Sequence, residues 1–215
     1  MYDITLFCTA HSENGKCNPG ELYKFIEELR PELIFEELSL AAYNECYGTQ
    51  NRFTVETSAI KMYLHNHKIK HVPVVGSELT KDLDRKFELL ITNSNYIHLI
   101  DNLMSQEEKF GFQFLNSDQC DKLYEEISEV EKLILKNNDD LVFSSIYRMG
   151  NEIIDVYEYE IIKNVYDYST NNKYNYALMF IGAAHRKSLT QKIQEYENKD
   201  KLKLKWTFYR AQACL

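Results

Sequence analysis

Two histidines and a small set of glutamates are the residues of this chain best suited to chemistry. His11 stands in "CTAHSENG" (8–15), directly after the apolar run "ITLF". His185 stands in "FIGAAH", after a longer apolar run. Glu36 and Glu37 follow "LIF", and Glu78 follows "VPVVGS". Each falls just beyond a stretch with the composition of a β-strand. Neutral imidazole and carboxylate together are ligands for zinc, manganese or iron. Without a metal, an imidazole can act as general base, with a glutamate as its orienting partner or as the acid. Glycines at 15, 76 and 182 let backbone and substrate approach closely. Neighbouring strand residues point to opposite faces, so the sequence leaves open which of Glu36 and Glu37 faces the crevice.

Other groups are weaker candidates. "HNHKIKH" brings His65, His67 and His71 together in sequence. On a helix, residues two apart point about 200° apart and cannot grip one ion. Cys17 lies near His11 in sequence and could pair with it as a nucleophile. The chain has no G-x-S-x-G, no P-loop and no G-x-G-x-x-G, so serine-hydrolase, nucleotide-triphosphatase and dehydrogenase readings lose their usual support.

The elements that must position these residues follow from pattern. "DITLFCTA" (3–10) reads as a first strand. "NPGELYKFIEELR" (18–30) reads as a helix, capped by Asn18, started by Pro19 and ended by Pro31, with Leu22, Phe25, Ile26 and Leu29 on one stripe. "ELIFEEL" is apolar on both faces at Leu33, Ile34 and Phe35, as a buried parallel strand is. A helix over 56–68 and a strand over 69–78 follow. Residues from about 80 to 170 read as long helices, "YNYALMFIGAA" (174–184) as a strand, the next segment as a helix, and "KLKLKWTFY" (201–209) as an edge strand. The expected architecture is a single α/β domain over 1–215. It has a mainly parallel central sheet flanked by helices, and a helical insertion or cap over about 80–170 between the third and fourth core strands. In such a sheet the carboxyl ends of the strands share one edge, where ligands bind. His11, Glu36 or Glu37, Glu78 and His185 would then converge there.

Bulk properties narrow the class. The formal net charge of −8 argues against a nucleic-acid surface. No apolar run approaches the ~20 residues of a membrane-spanning helix, and no signal peptide is recognised. Five scattered cysteines (8, 17, 46, 120 and 214) without a C-x-x-C pair fit reduced thiols in a cytoplasm.

"TAHSENG", "LIFEEL" and "FIGAAH" together resemble the TraB/Tiki and erythromycin-esterase/ChaN-like superfamily. The likeness covers roughly 3–40 and 174–190. It implies a functional set of His11, Glu36 or Glu37, and His185. It also implies an arginine in the helix ahead of the late strand, for which Arg148 in "YRMGNEII" is the candidate. Tiki-type members are metal-dependent peptidases, erythromycin-esterase-like members are hydrolases using His and Glu, and ChaN-like members are linked to haem.

The resulting expectation is a cytoplasmic hydrolase, esterase- or peptidase-like, acting on a small-molecule or peptide substrate. A divalent ion (zinc, manganese or cobalt) held by His11, His185 and Glu36 or Glu37 would activate water. The remaining glutamate or Glu78 would take the proton, and Arg148 would hold an anionic part of the substrate or the developing oxyanion. Two rivals stand beside it: a ligand- or metal-binding module without turnover that keeps the same crevice, and an interaction domain using the tyrosine-rich helices over 121–168, in which the strand-end residues are incidental.

Overall fold

A computed structural model describes residues 2–48, 53–76, 88, 90–137, 141–199 and 202–211. Strand β1 (Tyr2–Thr9) runs into helix α1 (Pro19–Leu29), then β2 (Leu33–Ser39). Helices α2 (Leu40–Tyr47) and α3 (Val55–Asn66) precede β3 (Lys70–Val75). A helical segment follows, with α4 (Ser94–Phe110), a single turn at Phe112–Leu115, α5 (Asp118–Lys136) and α6 (Leu141–Asn171). Strand β4 (Tyr176–Gly182), helix α7 (Arg186–Lys199) and β5 (Leu204–Phe208) close the described chain. The expected α/β architecture with a parallel sheet is what forms.

Local chemistry sets the element ends. The Asn18 side chain accepts from the Glu21 N–H at the start of α1. Arg30, in the left-handed region at φ 47°, ends that helix by donating its N–H to the Ile26 carbonyl. Helix α3 begins with a reciprocal capping box between Thr54 and Thr57. Helix α4 starts at Asn93, whose side chain accepts from the N–H groups of Asn95 and Tyr96. Helix α2 is absent from the sequence expectation. Its eight residues have little amphipathic pattern, and it is defined by the Ser39 hydroxyl accepting from the Ala42 N–H.

All strand pairs are parallel, in the order β3-β2-β4-β1-β5. The inner strands are buried on both faces, which explains their continuous apolar runs. The chain moves from β1 through β2 to β3 in one direction across the sheet, then from β4 to β5 in the other. With right-handed crossovers, the two windings place their helices on opposite faces. Helices α1 and α3 pack together, and so do α6 and α7. Strands β1 and β4 are neighbours whose following helices leave to opposite faces, so their carboxyl ends open a crevice. Thr9 lies level with Gly182 there, which brings the segments leading to His11 and His185 out of the sheet side by side.

Where β5 ends, a side chain continues the ladder. The Tyr209 N–H donates to the Leu6 carbonyl at 2.9 Å. Beyond it, buried Asn116 accepts from the Cys8 N–H at 2.8 Å and donates to the Cys8 carbonyl at 2.9 Å. Among the described residues, no helix is long and apolar enough to cross a membrane.

Candidate functional site

His11 leaves β1 after Thr9 and Ala10. Its carbonyl accepts from the Val55 N–H at 3.2 Å, which ties the loop to the start of α3. Its Nδ1 meets Glu56 Oε1 at 2.9 Å, and the Thr9 hydroxyl donates to the same oxygen at 2.8 Å. His185 ends the short turn after β4. Its Nδ1 meets Glu158 Oε1, from α6, at 2.7 Å. Each imidazole thus gives Nδ1 to a buried carboxylate, one from each side of the sheet, and leaves Nε2 free.

Both Nε2 atoms face Glu37. His11 Nε2 is 3.8 Å from Glu37 Oε2, and His185 Nε2 is 3.6 Å from Glu37 Oε1. These gaps exceed a hydrogen bond, so a group inserted between them could bond to both sides. The Glu37 carboxylate is held by the Tyr157 hydroxyl, which donates to Oε1 at 2.9 Å, and by the Gly182 N–H, which donates to Oε2 at 2.6 Å. A Cβ at Gly182 would lie 3.5 Å from Glu37 Oε2, 3.6 Å from His185 Cδ2 and 3.7 Å from His11 Nε2. The three side chains therefore surround a single point beside the backbone. His11 is the open side, with its side chain 54% exposed, while those of Glu37 and His185 are 6% and 15% exposed.

The electrostatics follow from these contacts. The Glu56 hydrogen bond is the main cause that pushes His11 up to about 9, against burial and with help from the Glu37 charge. Burial works against a charge on His185, but the Glu158 bond and the charges of Glu37 and Glu158 outweigh it and raise its pKa. For Glu56 burial favours the neutral acid; the His11 and Thr9 bonds prevail and hold it below the usual carboxylate range. Glu158 is lowered in the same way, against burial, by His185, Lys192 and Ser188. Burial and the Glu37 charge raise the Tyr157 hydroxyl, which stays a neutral donor.

The adjacent glutamates separate as the pleat requires. Glu37 faces the two imidazoles. Glu36 points to the other side of β2, where its Oε1 meets His71 Nδ1 at 2.7 Å and its Oε2 accepts from the Tyr47 hydroxyl at 2.6 Å. Of the expected set, His11, Glu37 and His185 come together and Glu36 does not join them. Arg148 is not brought to this cluster either. It is exposed on α6, ten residues before Glu158, which is roughly 15 Å along a helix axis. Glu78 lies outside the described residues.

His65, His67 and His71 take separate surroundings. His65 is exposed, His67 stacks on Tyr63 with ring centroids 4.0 Å apart, and His71 pairs with Glu36. Cys17 is fully buried, and burial pushes its thiol up to about 12, which leaves no thiolate to pair with His11. Among the described residues, no group of three or more His, Cys, Asp or Glu side chains is arranged to hold a metal ion. Of the residues expected to hold a divalent ion, His11, Glu37 and His185 share one point and Glu36 is turned away to His71.

Sequence reasoning missed Glu56, Tyr157 and Glu158, and the signal for both carboxylates was periodicity. Glu56 sits three, four and seven residues before Ala59, Ile60 and Tyr63, all buried. Glu158 stands in the same relation to Ile161, Ile162 and Val165, also buried. A carboxylate on the core-facing stripe of a helix needs a partner inside the protein. Comparison with protein-family models, curated proteins and solved structures returned no match.

Proposed function

We propose that this chain is a hydrolase of small esters or amides. It would act by proton transfer between two imidazoles on either side of Glu37. One observation carries the reading. Two imidazoles from distant segments have Nδ1 fixed by buried carboxylates and Nε2 turned toward one shared carboxylate. An imidazole whose orientation and tautomer are set by a carboxylate is the arrangement used for general acid–base catalysis. The carbonyl carbon of a substrate would sit near Gly182, with attacking water and leaving group on the two imidazole sides. The resemblance of "TAHSENG", "LIFEEL" and "FIGAAH" to the TraB/Tiki and erythromycin-esterase/ChaN-like superfamily supports the same reading, through His11, Glu37 and His185.

The test is turnover of a panel of esters and short peptides by chelator-treated protein. The wild type turns over at least one member, and His11→Asn and His185→Asn each lose about 100-fold or more in kcat/KM while keeping the native circular dichroism spectrum. A rate that appears only after zinc, manganese or cobalt is added would overturn the metal-free proton-transfer reading. A second reading is a binding module without turnover, in which the gap between His11, Glu37 and His185 holds a ligand. It predicts no rate with any member of the panel.

A further inference from the structure

We propose that the two imidazoles have fixed and opposite roles: His185 takes the proton of the attacking water, His11 supplies the proton of the leaving group, and Lys192 with Ser188 sets this order by acting on Glu158. The inference rests on the hydrolase reading above and deepens it.

The two anchoring carboxylates differ in their partners. Glu56 gives Oε1 to His11, and its other donors are neutral: the Thr9 hydroxyl on the same atom and its own backbone N–H. Its Oε2 is buried and has no hydrogen-bond partner among the described residues. The Glu56 charge is therefore left largely to His11. Glu158 gives Oε1 to His185, but its Oε2 accepts from the Ser188 hydroxyl at 2.6 Å and from Lys192 Nζ at 2.6 Å. Lys192 is buried, also pairs with Asp155, and has Ser188 Oγ at 3.2 Å. A cation on a carboxylate weakens that carboxylate's hold on a second proton-bearing partner.

The remaining groups around the pair do not reverse this order. Glu37 faces both Nε2 atoms at similar distances. The Tyr157 ring lies 5.5 Å from that of His185 and brings a neutral hydroxyl. Each imidazole is the other's nearby cation when charged, and that repulsion disfavours the charge on His185. Burial is also the leading effect on His185 and opposes its charge, whereas the Glu56 bond is the leading effect on His11 and favours it. Both imidazoles are raised, but through unequal surroundings, and unequal surroundings can give a pair of titratable groups distinct acid and base roles. Position agrees. The half-exposed His11 is where a leaving group can depart, and the buried His185 is where a water can be held against the carbonyl.

The step balances. Water oxygen bonds to the carbonyl carbon as its proton passes to His185 Nε2. The carbon–oxygen or carbon–nitrogen bond of the substrate then breaks, its electron pair stays on the leaving group, and the proton of His11 Nε2 joins that group. The pair resets when a proton leaves His185 and one returns to His11, through Glu37 or solvent.

The experiment is a pH titration of the imidazole nitrogens by NMR on the full chain, which needs no substrate, run beside kcat/KM against pH. In the wild type, His11 holds its proton to higher pH than His185. Lys192→Met makes Glu158 a stronger partner, so His185 holds its proton to higher pH while His11 stays. The acidic limb of the kcat/KM profile moves up with it, and the rate near pH 6 falls about three- to tenfold. Ser188→Ala, a smaller perturbation with little risk to folding, moves His185 the same way by less, and Lys192→Arg restores the wild-type curve. A His185 that keeps its proton to higher pH than His11, or one that neither variant moves, overturns the proposal. Absence of turnover with the titration order intact would count against the hydrolase reading instead.

Discussion

At the scale of single residues, the candidate site is defined by what each side chain is bonded to. His71 and Glu36 form as tight a pair as His11 and Glu56, at 2.7 Å. Yet Tyr47 and Tyr43 enclose His71 with ring centroids 4.4 and 5.2 Å away, so that pair braces α2 against the sheet. His11 and His185 differ because their free nitrogens face a gap rather than a filled core. Gly182 keeps that gap open. Its φ of −56° suits any residue, and a Cβ there would meet Glu37, His185 and His11 at ordinary contact distances. Gly182→Ala should therefore fold with a melting temperature close to wild type and lose at least about tenfold in kcat/KM, because its methyl occupies the place of the reacting carbon. Equal loss of stability and activity in that variant would mean that the gap is only packing. This level was half legible in the sequence. His11, Glu37 and His185 could be read from their place after apolar runs. Their anchors could not, because Glu56 and Glu158 lie on helices and look like surface charges until the spacing of the buried residues around them is counted.

At the scale of elements, the strands place the site and the helices tune it. The strands were legible because burial on both faces makes them continuous apolar runs, and because Pro19 and Asn18 mark the start of α1. Helix α2 was not, since eight residues with little amphipathic pattern give no signal. The start of helix α6 at Leu141 had no signal either, since exposed Leu141 and Val142 carry no helical stripe. The end of β1 depends on Asn116, which takes up the Cys8 N–H and carbonyl where β5 stops. Asn116→Ala leaves both buried groups unpaired and should cost roughly 2–4 kcal/mol in chemical unfolding. Because Cys8 lies three residues before His11, the same variant should also lower activity. A loss under about 0.5 kcal/mol would show that water or backbone readily replaces the amide.

At the scale of the whole molecule, the doubly wound topology explains why residues 174 positions apart in sequence meet: β1 and β4 are neighbours whose following helices leave to opposite faces. It also gives the fold a pH signature. His11 and His185 are raised above 6.5, so the stability they contribute is complete below about pH 6.5 and is lost as pH climbs, through about 9 for His11. Glu56 and Glu158 are lowered from 4.5, so their contribution is present above that pH and is lost on acidification. The His11 ring is half exposed and partly screened, so buried His185 carries more of the alkaline effect. The melting temperature should therefore be highest between about pH 5 and 6.5 and fall on both sides, and a flat profile from pH 6 to 10 would mean that the imidazole pairs add nothing to stability. The claim beneath all of this is that Glu37 joins two imidazoles into one reactive centre. Its most direct test is kcat/KM of Glu37→Gln against wild type on the best substrate of the ester and peptide panel, with folding checked by circular dichroism. A loss of about 100-fold or more with the native spectrum retained is the predicted result; wild-type turnover by the glutamine variant would contradict it.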